Sequence, residues 1–439
     1  MLNTYEEALD WIHSRLRFGI KPGLGRMVEM MEKLGNPHTK IPVIHVAGTN
    51  GKGSTVSYMR SMLNEAGYKA GTFTSPYLET FNERISMDGY PISDDDLLRL
   101  ANAIKPAAER VEAETNEAPT EFEIITAMAF LYFGEFNRPD YVLLETGLGG
   151  RLDSTNIAEP ILSIITNTGY DHMHILGDTI EEIASEKAGI IKRKTPVVTG
   201  VQKSKGLEQI RKKAADENAE VYVLGDDFQT SEVQSHTEGE TFSFTSPFGS
   251  WEDLQITMFG VHQTMNASLA LAALSLLREK GLIQLSDEQI RKGLYTAKWS
   301  GRYEVISRDP LIVIDGAHNL EGVESLTKTL KGHESDKTIH MLFTALEDKE
   351  YDRMLYELEK TADYLYLTEF EFPRAASSTS IYNACRTKNK KIIADWKSFL
   401  NAFPKKLKSD EMLIICGSLY FISQVRQYLL AAEKKILGE

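Results

Sequence analysis

Between residues 41 and 56 the chain reads Ile-Pro-Val-Ile-His-Val-Ala-Gly-Thr-Asn-Gly-Lys-Gly-Ser-Thr-Val. A short apolar run (Val43, Ile44, Val46) enters a glycine-rich stretch, and helix-compatible Tyr58, Met59, Met62 and Leu63 follow. Strand, glycine loop, helix is the build of a phosphate-binding loop. Glycines let several backbone N–H groups turn toward one anion, and the helix N-terminus adds a favourable dipole. Lys52 supplies a full positive charge, and Ser54 or Thr55 a hydroxyl for a metal ion. Thr49, Asn50, Gly51, Lys52, Gly53 and Ser54 are therefore the candidate nucleotide-binding residues. The pattern departs from G-x-x-x-x-G-K-[ST], because Gly53 separates Lys52 from Ser54.

Other polar side chains fall just beyond apolar runs. Glu145 closes Tyr141-Val142-Leu143-Leu144, and a buried carboxylate needs a partner. A Mg²⁺ ion bridging nucleotide phosphates is one such partner; a salt bridge to Arg151 is the other. Ser75, before Pro76, reads either as a hydroxyl beside that metal or as a plain Ser-Pro turn. His172, after Asp171, reads as a metal ligand, an acid/base or a satisfied core histidine. Lys187 near the end of an apolar helix either stabilises the helix C-terminus or is tucked inside, where its pKa falls. A neutral amine there can take up CO₂ as a carbamate, itself a metal ligand. In Ile312-Val313-Ile314-Asp315-Gly316-Ala317-His318-Asn319, Asp315 is placed to meet a ribose and His318 a phosphate. An ordinary turn capped by Asn319 is the alternative. Arg302, in a linker, can swing a cation onto a γ-phosphate.

These residues need a scaffold that brings strand ends together. Apolar runs near 43–47, 69–74, 140–145, 161–166 and 196–200 alternate with helical patterns, which indicates a parallel sheet covered on both faces. Functional residues then sit at the carboxyl ends of its strands. Thr4 and Glu7 form a capping-box pattern, and Ser93 caps a helix to about Glu114. Strongly apolar helices are expected over 120–136 and 179–192. Residues 229–255, rich in Ser, Thr, Gly and alternating aromatics, read as a small antiparallel insertion. A helix is expected over 266–280, closed by Gly281. Residues 299–304 read as a linker, and the domain boundary is set at 297/298. Beyond it, strands near 311–315, 339–344, 364–368 and 412–416 indicate a second, Rossmann-like α/β domain ending in a helix from 417 to 436. The stretches His333 to Lys337 and Lys388 to Lys391 are expected to be solvated faces.

The chain has 439 residues, a net charge of −14, 42% hydrophobic and 26% charged residues. Such a surface repels nucleic acid and anionic membranes, so an anionic ligand needs a local positive pocket. No apolar run approaches the roughly 20 residues of a membrane span, and the first ten residues lack a signal peptide's basic head. The two cysteines, Cys385 and Cys416, lack metal-ligand spacing and are expected to be free thiols in a reducing cytoplasm.

Seven motifs in order resemble the folylpolyglutamate synthase and dihydrofolate synthase family, within the Mur ligase superfamily. They are His-Val-Ala-Gly-Thr-Asn-Gly-Lys-Gly-Ser (45–54), Thr-Ser-Pro (74–76), Phe-Asn-Glu-Arg-Ile (81–85), Glu-x-Gly-Leu-Gly-Gly-Arg-Leu-Asp (145–153), Glu-Lys-Ala-Gly-Ile-Ile-Lys (186–192), Gly-x-His-Gln-x-x-Asn-Ala (260–267) and Asp-Gly-Ala-His-Asn (315–319). The resemblance implies ATP-dependent addition of L-glutamate to the γ-carboxyl of a reduced folate, or to dihydropteroate; separately, the chain is expected to be a monomer. Residues 49–54 would hold ATP phosphates, and Asn266, Arg302, Asp315 and His318 would contact ATP from the hinge and second domain. Ser75 and Glu145 would hold one Mg²⁺, while Glu145, His172 and carbamylated Lys187 would hold a second; a monovalent cation such as K⁺ would accompany them. Lys52, Lys187 and His318 would be the catalytic residues, with Arg84 and Ser418 facing the folate. One departure is Tyr77, where the family often has His.

Overall fold

The computed structural model describes residues 1–437 apart from 20 and 203. Strands that are apolar on both faces must be covered on both, and these form an eight-stranded sheet. Its strands are β1 (Val43–Ala47), β2 (Ala70–Phe73), β3 (Ile85–Met87), β4 (Tyr90–Pro91), β5 (Tyr141–Glu145), β6 (Pro160–Ile165), β7 (Val197–Thr199) and β8 (Val221–Val223). They lie in the order β4-β3-β2-β5-β1-β6-β7-β8, parallel except for β3 and β4. The carboxyl ends of β5, β1 and β6 are therefore neighbours. Val46 pairs with Glu145 and Ala47 with Ile165, so the glycine loop, Glu145 and the segment after β6 share one rim.

A three-stranded antiparallel insertion follows: β9 (Gln229–His236), β10 (Gly239–Ser246) and β11 (Gly249–Ile256). Its Phe242, Phe244, Trp251 and Leu254 join the core that holds Met59 and Met62 of the loop helix, Lys52–Glu65. The third sheet comprises β12 (Glu304–Arg308), β13 (Leu311–Ile314), β14 (Thr338–Phe343), β15 (Tyr364–Thr368), β16 (Lys390–Ile393) and β17 (Glu411–Cys416). Its order is β12-β13-β17-β14-β15-β16, with only β12 antiparallel to its neighbour.

Several local expectations change. Glu7 reaches the N–H of Asn3 at 2.7 Å, not that of Thr4, although Thr4 does cap its helix. The helix expected from 266 begins at Val261, its N-cap being Gly260 with no side-chain cap bond. The helix expected over 179–192 stops at Ala188, and that over 120–136 passes into a wider turn at Tyr132–Phe136. The linker is shorter than read, since β12 begins at Glu304. Lys390 and Lys391 lie in an edge strand, a position where lysines also guard against strand addition. Most consequentially, His333 is not solvated: its side chain is 4% exposed. Both cysteines are free and buried. Among the described residues no helix is long and apolar enough to cross a membrane.

Candidate active site

Gly51 enters the loop helix with φ 83°, and a Cβ there would lie 2.3 Å from the Asn266 side-chain oxygen. Glycine is thus required both by the left-handed turn and by what lies beneath it. The first-turn amides of Lys52, Gly53 and Ser54 have no carbonyl inside the helix and border the cleft. The preceding amides are held from behind: Thr49 and Asn50 N–H both donate to the Asn167 side-chain oxygen, at 3.0 and 2.9 Å. Thr166 Oγ1 donates to the Asn50 carbonyl at 2.6 Å. Sequence reasoning did not single out Asn167; its place just past β6, beside β1, was the available signal.

Lys52 folds back over the loop, donating to the Gly48 carbonyl at 3.0 Å, with its amine 3.8 Å from Glu145 Oε1. Glu145 is buried and its Oε2 has no partner among the described residues. Burial pushes its carboxyl up to about 7, against the pull of Lys52, Arg302 and the Ser75 amide. Arg151, the alternative partner, pairs with Glu186 at 2.8 Å instead. Lys187 is 2% exposed; burial, then the nearby Lys52 charge, pushes its amine down to about 7, and among the described residues its amine makes no hydrogen bond. Ser75, His172 and the glycine turn 147–149 complete this side of the cleft, and Ser418, just past β17, lines it from the other side. His172 sits in the left-handed region (φ 51°), and burial lowers its pKa. The Ser418 hydroxyl is buried without a partner among the described residues.

From the second lobe, Arg302 and His318 reach the same cleft. His318 Nδ1 lies 2.7 Å from the Gly316 carbonyl, which places the proton on Nδ1 and leaves the Nε2 lone pair free. Burial holds His318 down to about 4, so the ring is neutral at pH 7. Asp171 ties the lobes together: it accepts from Lys349 at 2.5 Å and from Asn319 at 3.2 Å, and lies 3.9 Å from His318 Nε2. Asn50 and Asn319 exchange side-chain amide bonds at 3.1 and 3.4 Å. Asp171 and Lys349 were not chosen from sequence as a pair; both follow strand ends, which is the signal they carry.

Three expected ligands do not line the cleft. Asp315 accepts from the N–H of Tyr303 and of Ala317, at 2.7 and 2.8 Å, and so builds the turn that presents His318. Asn266 lies under Gly51, bonded to Gln263, which in turn donates to Ser54 at 3.3 Å. Arg84 stacks on Tyr77 and Phe81 and faces Glu121 at 3.7 Å.

The cleft carries Lys52, Lys187, Arg302, Lys349 and Arg374 against Glu145, Asp171 and Asp348, a positive pocket in a protein of net charge −14. A second cavity of about 320 Å³ opens from it, sharing Ser75, Glu145 and Arg302. Its wall includes Thr72, Thr74, Trp299 and Arg60, whose guanidinium hydrogen-bonds, among the described residues, to the Ser57 hydroxyl alone, at 3.4 Å. Among the described residues no three His, Cys, Asp or Glu side chains converge as a metal nest.

A phosphate loop and a second α/β lobe across one cleft define a nucleotide-dependent, two-lobed ligase. Residues 46–274 match the family model of the Mur ligase middle domain, and 301–419 that of the Mur ligase glutamate ligase domain. Dihydrofolate synthase/folylpolyglutamate synthase of Bacillus subtilis is 48% identical over 429 residues, covering 98% of this chain and 100% of that protein. Folylpolyglutamate synthase of Mycobacterium tuberculosis, solved with ADP and AMPPCP, superposes with a TM-score of 0.89 at 29% identity, over 97% of this chain and 99% of that one. An FPGS complex with AMPPCP and folate gives 0.85 at 33% identity, over 98% and 100%. The chain belongs to the folylpolyglutamate synthase/dihydrofolate synthase family.

Proposed function

We propose that the protein uses ATP to join the amine of L-glutamate to the γ-carboxyl of a reduced folate, with dihydropteroate as a second acceptor. The reading rests on one observation above others: the phosphate loop, the Glu145 carboxylate with its Oε2 unpartnered among the described residues, and the His318 turn of the other lobe meet at one cleft. Residues 1–297 act as the ATP-binding unit and 298–439 as the glutamate-ligating unit, in a monomer. Free buried thiols suit a reducing cytoplasm.

The acceptor carboxylate enters from the Arg60 cavity, and one of its oxygens bonds to the γ-phosphorus as the bond to ADP breaks. Lys52 and Arg302 neutralise the charge that moves, which is most of what phosphoryl transfer needs. The glutamate amine then bonds to the acyl carbon and phosphate leaves. The amine's proton passes to the neutral His318 Nε2 or to a phosphate oxygen. Lobes bridged through Asp171 exclude water from the acyl phosphate. Folate contacts fall to the Arg84 loop, whose Glu83 lines the Arg60 cavity, and to Ser418 from the adjoining cleft.

The donor set fits Mg²⁺: a buried carboxylate oxygen without a partner, with Ser75 beside it, would hold one ion, and His172 with Lys187 as its carbamate would help hold a second. Bound there, the metal would neutralise phosphate charge. An unbonded amine pushed down to about 7 is the chemistry that carbamate formation requires.

The test is incubation with ATP, glutamate and a panel of acceptors, reading phosphate release and product mass. Glutamate-dependent phosphate release with a folate product one glutamate heavier is expected. Phosphate release without glutamate, or ligation to a cell-wall nucleotide only, would overturn the reading.

A further inference from the structure

The helix Leu320–His333 is clamped to the first lobe at both ends. At its front, Asn319 bonds to Asn50 and Asp171, and Glu321 accepts the N–H of Tyr170 at 3.0 Å. At its rear, 14 residues on and about 21 Å away at the helical rise, His333 turns inward. Its Nε2 lies 2.6 Å from Oε1 of Glu240, a β10 carboxylate with no exposed side-chain surface. Glu240 also accepts the N–H of Gly260 at 2.6 Å and the Ser235 hydroxyl at 2.7 Å.

Gly260 is the entry to the helix Val261–Glu279, whose Gln263 and Asn266 support Ser54 and Gly51 of the phosphate loop. One carboxylate therefore touches the start of the helix beneath the loop and the end of the helix that presents the opposite wall. The joint has no slack: Gly260 has φ 102°, and a Cβ on it would lie 2.3 Å from Thr329 Oγ1. A buried acid–imidazole pair is weak evidence for stability, since apolar residues of similar volume often serve as well; fixing one arrangement is its better attested use.

We propose that Glu240 is a positioning residue for ligation, setting the spacing between the phosphate loop's supporting helix and the helix behind His318 so that the two walls meet in register over the acyl phosphate. This rests on the ligase reading above. Glu240→Gln keeps an acceptor for Gly260 at nearly the same shape, and His333→Gln attacks the pair from the other lobe. In the full-length protein, phosphate released per amide formed, kcat, and affinity for AMPPCP are measured for each. Wild type is expected to release one phosphate per amide. In the variants that ratio rises roughly twofold as acyl phosphate is lost to water, and kcat falls roughly tenfold. AMPPCP affinity, to which the phosphate loop contributes most, is largely kept. A lower melting temperature with the ratio still at one marks a merely structural role and overturns the proposal. If Glu240→Gln does not fold, His333→Gln decides; if neither folds, the role is structural and the proposal fails. Wild type that forms no amide overturns the ligase reading itself, whereas active variants that stay coupled sink the positioning role alone.

Discussion

Two turns face each other across the cleft, and both are written as strand, glycine-containing turn, helix. The first joins β1 to the helix Lys52–Glu65, and the second joins β13 to Leu320–His333. In the second, side chains close the turn from within. Asn319 caps its helix by accepting the Gly322 N–H at 2.9 Å, Asp315 takes two amides, and His318 Nδ1 is anchored on Gly316. In the first, Gly51 replaces the capping side chain, and the opening amides of the helix have no partner of their own. A turn that satisfies itself becomes a rigid presenter of His318. One left unsatisfied becomes a receptor for an anion.

The sharpest way to break this contrast is at the receptor. Lys52→Ala should lower ligation by on the order of 10³-fold while circular dichroism and melting temperature stay near wild type, because its hydrogen bonds among the described residues go to carbonyls of its own loop and its approach to Glu145 is a loose 3.8 Å. Retained activity would remove the first turn from the chemistry. Lys187→Ala should fall by on the order of 10²-fold, with part of the loss recovered on adding short carboxylic acids in place of the carbamate. No recovery by any acid would argue against carbamylation. A pH profile checks the same group. Burial sets the Lys187 amine at about 7 and the Glu145 carboxyl at about 7. Below that range Lys187 is protonated and closed to CO₂, and Glu145 is neutral and closed to a cation. Activity should therefore fall as pH drops through 7; a profile flat from pH 8 to 6 would contradict both roles.

The presenter should break differently. Asp315→Ala leaves the buried turn amides of Tyr303 and Ala317 without an acceptor, at a cost of about 1–3 kcal/mol. Loss of both melting temperature and roughly tenfold in kcat is expected, since a misplaced His318 lowers rate. If Asp315→Ala melts like wild type, the second turn is not self-built, and the contrast with the first dissolves.

The phosphate loop and Glu145 could be found in the chain because their chemistry is contiguous: an apolar strand fixes burial, and the next few residues carry the function. The clamps could not. Asp171 and Lys349 are 178 residues apart, and Glu240 and His333 are 93 apart, so only the packed fold brings them together. His333 opens a polar run that reads as solvated, yet its place at the helix end turns it under Tyr303 and Phe259. The early start of the helix at Val261 was hidden for a related reason. Its N-cap is Gly260, which leaves no Ser, Thr or Asp to announce it. Asp315 is a candidate ligand because it lies just beyond an apolar strand, and Asn266 because of its motif; in the structure Asp315 accepts two turn amides and Asn266 lies under Gly51.

Arg151 supplies the smallest expected effect. Two residues beyond the glycine turn, it was the one nearby cation that sequence offered Glu145. Its guanidinium instead meets Glu186 with the arginine side chain 56% exposed, and an exposed pair of this kind contributes about 0–1 kcal/mol. Arg151→Ala should therefore leave kcat and the pH profile unchanged and move the melting temperature little. A fall in activity comparable to that of Lys187→Ala would mean that Arg151 swings to Glu145 during turnover. Glu145 Oε2 would then have a protein partner in the working enzyme, and the case for a cation beside the first turn would lose the unpartnered oxygen on which it rests.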